Sequence, residues 1–348
     1  MTKRRFSWQT LFSRFAGRSC SDGAPLPSLE IHVPISPTDH FFTMIRFLAA
    51  SLRAHGGALS ATPIIVTVGG DCEPFDIYSA QPWSRRYPVK WVWLARGLYR
   101  EKIYYATAVE RFRHPFESDL VLMLDADMIV MRPFDDLVRQ IAQEQCFGGF
   151  IAHVSPFMMH NRQNPGQALS NREWWRRLFN SASLTENDDR FEHTGWNVLF
   201  TDPAYRFCPP YFNLGFLIAP AEQMRKIGAI IYETMAQVDQ TLTTIYKCQL
   251  ALTLALCRLE IPLRPLAARY NYPNIDAFRP AYPRDFGDIR LLHYLANDQI
   301  DKKRDLQSVE KTGDWLKTRR LTQTNRLLRN VLRPLYGQMK TESTCTRP

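Results

Sequence analysis

The run Leu122-Met123-Leu124-Asp125-Ala126-Asp127-Met128-Ile129-Val130 constrains this chain more than any other stretch. It has the apolar character of a buried strand, yet it carries two carboxylates. An unpaired carboxylate among aliphatic side chains is costly, so a positive charge must compensate. Residues i and i+2 of an extended strand face the same side, so Asp125 and Asp127 are expected to converge on one cation, with Ala126 turned into the packing. Oxygen ligands suit Mg²⁺ or Mn²⁺, and a salt-bridged pair at a strand end is the competing reading. His293, in Leu291-Leu292-His293-Tyr294, ends a second apolar run. A neutral imidazole there would serve as a further ligand, the alternative being a hydrogen-bonded core histidine.

The elements around these residues alternate. Residues 29–35, 62–68, 89–94, 211–219 and 288–294 read as strands, and 43–55, 99–112 and segments of 222–259 as helices. This order predicts an α/β domain with a mixed, mostly parallel sheet flanked by helices. Residues 21–28, with Gly23, Pro25 and Pro27, read as a linker. Residues 153–210 are polar, aromatic and poorly periodic, as an insertion carrying substrate contacts would be, or a plain surface excursion.

Hydrophobic residues make up 45% of the 348, so a packed core is expected rather than disorder. The net charge of +10 sits at the ends. Residues 1–20 contribute +5 and residues 301–348 +7, which leaves −2 for the body. A nucleic-acid enzyme would be basic along its working cleft, so no nucleic-acid partner is expected. Basic ends fit an anionic surface outside the active site, such as a membrane face. The seven cysteines form no close pair, which suits reduced thiols, and Met1–Cys20 lacks the apolar core of a secretory signal. The expected location is cytoplasmic, with peripheral contact at the inner face of a membrane.

Taken in order, LDADMIV, YFNLGFLIA, KCQLALTLAL and LLHY resemble the glycogenin and lipopolysaccharide-galactosyltransferase family of retaining glycosyltransferases. The opening IHVPISPTDHFFTMIRFLAASL resembles that family's first strand and helix, and the likeness runs from Glu30 to Asp298. It implies a GT-A fold over residues 29–300, preceded by a basic segment and linker (1–28) and followed by a basic helical tail (301–348). It implies transfer of a hexose from a nucleotide-sugar donor, a UDP-sugar, to a carbohydrate or glycolipid acceptor, with retention. Asp125, Asp127 and His293 match the family's Mn²⁺ ligands. Lys102, Asp125, Asn213 and Gly215 match donor-binding positions, and Asn213 and Gln249 match positions beside the reacting sugar. A divalent cation on the donor diphosphate would stabilise the charge that grows as the sugar–phosphate bond breaks.

Two features depart from the family pattern. Cys248 stands where an aspartate usually precedes the glutamine, and after His293 the chain reads Tyr-Leu-Ala-Asn-Asp-Gln, without the usual glycine and lysine. Lys302 or Lys303 is the candidate replacement at the phosphates. Trp174, Trp175, Trp196 and His193 in the insertion suit an acceptor groove or a core. The stretch 315–336 reads as a basic amphipathic helix, able to lie on anionic lipid or to pack on the body. Two other functions stay open: a non-catalytic carbohydrate- or partner-binding relative, and a sugar nucleotidyltransferase. The second would normally carry a glycine-rich loop after its first strand, where this chain has Ser36-Pro37-Thr38-Asp39-His40.

Overall fold

The computed structural model of the protein describes residues 25–185 and 190–345. The basic segment 1–20 lies outside the described residues. Ten strands position the site: β1 (Leu29–Ile35), β2 (Ile64–Val68), β3 (Val89–Trp93), β4 (Leu120–Leu124), β5 (Met128–Val130), β6 (Phe147–Ile151), β7 (Phe212–Pro220), β8 (Leu263–Pro265), β9 (Tyr272–Pro273) and β10 (Leu291–His293). The helices that matter here are α1 (Asp39–His55), α2 (Arg96–Lys102), α3 (Tyr104–Glu110), α4 (Ala221–Thr241), α5 (Lys247–Arg258) and α6 (Gln323–Cys345).

Seven strands form the main sheet in the order β8-β6-β7-β4-β1-β2-β3. Only β7 runs antiparallel to its neighbours β4 and β6, while β1 is parallel to both β2 and β4. A parallel sheet of this kind is covered on both faces, and side-chain alternation divides the core accordingly. Leu120, Leu122 and Leu124 join one apolar cluster with Ile31, Val33 and residues of α1. Val121 and Met123 point the other way, into a cluster built largely on α4 and α5. A second sheet of three strands, β9-β10-β5, extends from the main one.

Three local expectations are corrected. The helix foreseen over 99–112 is two helices, broken at Ile103, whose φ of 51° takes it out of the right-handed region. The insertion 153–210 is more regular than its pattern suggests, with helices at Pro156–Gln163 and Asn171–Ser181. The third concerns the C-terminal helix. Leu328, Leu332, Leu335 and Met339 recur at helical spacing and are buried in the same cluster as the β1 and α1 side chains. Leu327 and Val331 pack against that cluster. The apolar side chains foreseen for a lipid surface therefore face the protein, and α6 is part of the packed body. Among the described residues no helix is long and apolar enough to cross a membrane.

Candidate active site and metal centre

The strands β4 and β5 follow one another in sequence but belong to different sheets, and Asp125-Ala126-Asp127 is the turn between them. This corrects the extended-strand geometry expected above: a turn, not the two-residue repeat of a strand, sets the two carboxylates. Ala126 is buried, as foreseen. The strand β10 pairs antiparallel with β5, with His293 opposite Met128. That register carries the imidazole to the turn. Nε2 of His293 lies 3.0 Å from Oδ1 of Asp127 and 4.0 Å from Oδ2 of Asp125. One ligand atom from each of the three residues lies within 4.8 Å of the others.

The hydrogen bonds behind this cluster fix which nitrogen of His293 faces it. The backbone N–H of Gly215 can only donate, and it donates to Oδ1 of Asn213 at 2.7 Å. Asn271 must then present its Nδ2 to that same oxygen, at 3.3 Å, which turns its Oδ1 toward His293. Nδ1 of His293, 2.7 Å from that oxygen, is therefore an N–H, which leaves Nε2 as the nitrogen a metal ion would take. Nε2 and two carboxylates facing one another form a set that a divalent cation would hold together. The set fits Mn²⁺ or Mg²⁺ in its oxygen-rich character and in its oriented histidine.

Gly215 is required by closeness. A Cβ there would lie 2.7 Å from Asn213 Oδ1, 2.7 Å from His293 Cε1 and 2.9 Å from Asp125 Oδ2. The backbone of β7 thus approaches the cluster as only a glycine allows.

Electrostatics separates the two acids. Burial raises the pKa of Asp125; Arg111 opposes the shift and the charge of Asp127 adds to it. Burial also works against the Asp127 carboxylate, but His293 and Lys302 outweigh it and hold its pKa well below the usual range. Lys302 donates to Asp127 Oδ2 at 2.7 Å. Sequence reasoning missed Arg111. It is fully buried and gives its hydrogen bonds to the carbonyls of Ala108, Leu124 and Leu214. It thereby ties the end of β4, just before Asp125, to the start of β7, just before Gly215. Its one cue is an arginine set between Val109 and Phe112, on the inward side of a helix end.

Asp125 and Asp127 wall a cavity of about 620 Å³ together with His40, Phe41, Lys302 and Lys303. That volume is in the range of small-molecule sites. The remaining candidates sort by position. Asn213 and Gly215 are in the cluster. Gln249 is half-buried on α5, where its Oε1 accepts from the Tyr211 hydroxyl. Cys248 is buried with its thiol toward the Tyr105 carbonyl, and burial pushes its pKa up to about 12. Lys102 is not brought to the cavity: its ammonium pairs with Glu101 on the exposed side of α2. Trp174, Trp175 and His193 are buried, which settles the tryptophan pair as core, and only Trp196 of that set keeps partial exposure.

A cavity of small-molecule size and an acid-turn-acid motif lie at the carboxyl end of a mostly parallel sheet in which β7 runs antiparallel to its neighbours. This is the GT-A fold of glycosyltransferases. No family model matches the chain, and no curated protein matches its sequence. Solved structures do match. Galactosyltransferase LgtC in complex with donor and acceptor sugar analogues is 16% identical, over 85% of this chain and 99% of that one, with a TM-score of 0.50. An active-site mutant of LgtC is 15% identical, over 82% and 95%, also at 0.50. Mouse xyloside xylosyltransferase 1 in its apo form is 14% identical, over 78% and 99%, at 0.47.

Proposed function

We propose that this protein is a metal-dependent glycosyltransferase that moves a hexose from a UDP-sugar to a carbohydrate or glycolipid acceptor with retention. The observation that carries the reading is the meeting of Asp125, Asp127 and Nε2 of His293 at the wall of a cavity that also holds two lysines. Asp125, Asp127 and His293 would hold Mn²⁺ or Mg²⁺. The ion, when bound, supplies positive charge at the donor diphosphate as the leaving group departs. Lys302 and Lys303 bind the same phosphates, with Lys302 exchanging its ion pair with Asp127 for one with the donor. This fills the position left by the missing family lysine, and Lys102 is not needed there. Asn213 and Gly215 shape the floor under the donor sugar. Gln249, its Oε1 engaged by Tyr211, keeps its amide N–H groups for the donor or acceptor.

A peripheral membrane contact, if the acceptor is lipid-linked, falls to the basic residues 1–20, since the apolar face of α6 is spent on the body. Sedimentation with anionic vesicles at low and high salt tests that part, because such attraction is screened by salt. The test of the main reading is hydrolysis and transfer from a panel of nucleotide-sugars with and without Mn²⁺, followed by NMR of the product's anomeric configuration. Mn²⁺-dependent turnover of a UDP-sugar supports it. Donor binding without turnover would point instead to a non-catalytic relative, and formation of a nucleotide-sugar from a sugar phosphate to a nucleotidyltransferase.

A further inference from the structure

We propose that Glu30, His32 and His114 form a second metal site, suited to Zn²⁺, between β1 and the loop that follows α3. It shares no ligand with the Asp125–Asp127–His293 cluster, and it does not rest on the transferase reading.

The position of these residues is anomalous for a core strand. Leu29, Ile31, Val33 and Ile35 fill one face of β1 and enter the first apolar cluster. On the opposite face the aligned residues of β4 are Val121 and Met123, members of the second apolar cluster. Glu30 and His32 stand beside them in register, both buried. Two polar side chains occupy sites where the pattern calls for aliphatic ones, and burial without good partners is costly.

The loop 111–119 closes over them. The His114 ring lies 5.0 Å from the His32 ring, centroid to centroid. One donor atom from each of Glu30, His32 and His114 lies within 4.8 Å of the others. Nδ1 of His114 is 3.2 Å from the Pro115 carbonyl, which can only accept, so Nδ1 is the donor and Nε2 is the nitrogen left for an ion. Oε2 of Glu30 is held by the Glu117 N–H at 3.1 Å, and Oε1 lies 2.8 Å from Nε2 of His32. This leaves Nδ1 of His32 buried without a hydrogen-bond partner. Nε2 of His32, beside Oε1 of Glu30, is the nitrogen an ion would take, and a bare Glu–His pair leaves the His114 ring nitrogen near them unused. Arg111 is not the missing partner, because its donors go to the carbonyls of Ala108, Leu124 and Leu214.

Two imidazoles and one carboxylate would give a zinc ion three protein ligands, with a water to close the fourth position. The nitrogen content sets it apart from the oxygen-rich cluster at Asp125 and Asp127. Held there, the ion would fasten the loop leading into β4 onto β1, upstream of the turn that carries both acids. Its role is to brace the fold, not to touch the donor.

The experiment uses the full chain, stripped with chelator and titrated with Zn²⁺, and with Co²⁺ as a visible-absorption probe. In an Asp125→Ala/Asp127→Ala background, one equivalent of Zn²⁺ is expected to bind and to raise Tm. Adding His114→Ala, a change at a half-buried loop residue, removes that equivalent and the Tm shift. The Co²⁺ spectrum of the wild-type chain loses one component on His114→Ala alone, which keeps the test decisive should the double variant fold poorly. Equal Zn²⁺ binding and an equal Co²⁺ spectrum with and without His114 overturn the proposal. Loss of sugar transfer leaves it untouched, so its failure and that of the transferase reading are distinguishable.

Discussion

Asp127 and His293 are 166 positions apart in the chain, and the histidine Nε2 meets the aspartate Oδ1 at 3.0 Å. The pairing of β10 with β5 makes this contact, so the site is as fixed as the small sheet that carries it. Removing either acid is expected to abolish the response to metal while leaving the fold in place. In wild type, Mn²⁺ at 100 times its Kd should stabilise by about 2.7 kcal/mol. Asp125→Ala and Asp127→Ala should show no Mn²⁺-dependent rise in Tm, and transfer should fall by at least about 100-fold, the scale for losing a charge-stabilising group. Normal turnover of both variants in chelator would sink the assignment.

Asn271 is the residue that orients the histidine. Loss of such a partner typically weakens metal binding about 10- to 100-fold. Asn271→Leu should therefore raise the Kd for Mn²⁺ by that factor, whereas Asn271→Asp, which still accepts the Nδ1 proton, should recover much of it. Calorimetric titration of metal reads this without any donor. Equal affinity in both variants would mean that the tautomer is set by something else.

A methyl group at Gly215 has nowhere to go. It would press on His293, Asn213 and Asp125 at 2.7–2.9 Å. Gly215→Ala should cost about 1–3 kcal/mol in stability, the usual scale of overpacking. Its larger effect should be loss of Mn²⁺ binding, since all three atoms it displaces belong to the cluster or its support. A variant that binds Mn²⁺ normally would show that the site yields more readily than its geometry implies.

The parts of this fold that were legible in sequence are those set by local pattern. Strands such as LEIHVPI and the unbroken LVLML announce a covered sheet, because burial on two faces leaves a nearly continuous apolar run. The grouping of Asp125, Asp127, Asn213, Gly215 and His293 was reached through a resemblance, since no spacing rule brings residue 293 to residue 127. The turn at Ala126 was hidden by its apolar flanks, which read as one continuous strand. Ile103 hid the break between α2 and α3, because a β-branched side chain gives no signal for a positive φ. The fate of α6 was also undecidable: Leu328 and Leu332 mark an apolar face but not what covers it. Arg111 was missed because one buried arginine looks, in sequence, like any surface arginine.

Asp276 holds the start of α6 from outside the helix. Its carboxylate accepts from the backbone N–H groups of Gln323 and Thr324, each at 2.9 Å, and from the Thr324 hydroxyl. These donors are among those a helix start leaves unpaired. Burial alone would raise the pKa of Asp276, but the Thr324 and Gln323 hydrogen bonds outweigh it and hold the pKa below its ordinary value of 3.8. A carboxylate with a depressed folded pKa stabilises fully above its unfolded value, and that stabilisation is lost as pH falls through the folded one. Asp276→Ala should therefore cost about 0.5–2 kcal/mol at neutral pH, as cap removal does. The gap between variant and wild type should close below the ordinary carboxylate range. Denaturant melts at neutral and strongly acid pH check both the size and the sign.

Gln249 separates a chemical role from a positional one. Its Oε1 is taken by the Tyr211 hydroxyl, and Tyr211 lies two residues before Asn213 at the entrance to β7. The side chain is thus aimed from α5 toward the segment that carries Asn213 and Gly215, with its amide N–H groups uncommitted. A hydrogen bond from that amide to a donor oxygen in the ground state alone would show in donor affinity. One that strengthens as the sugar–phosphate bond breaks would show in turnover. We expect the second. Gln249→Ala should lower kcat for transfer by about 10- to 100-fold, on the scale of about 1.4 kcal/mol per factor of ten, with little change in the Kd of a UDP-sugar. Tyr211→Phe, which frees Oε1 without removing the amide, should produce a smaller loss in the same direction. Weaker donor binding at normal kcat would make Gln249 a positioning residue. No change in either constant would place it outside the site and detach α5 from the chemistry.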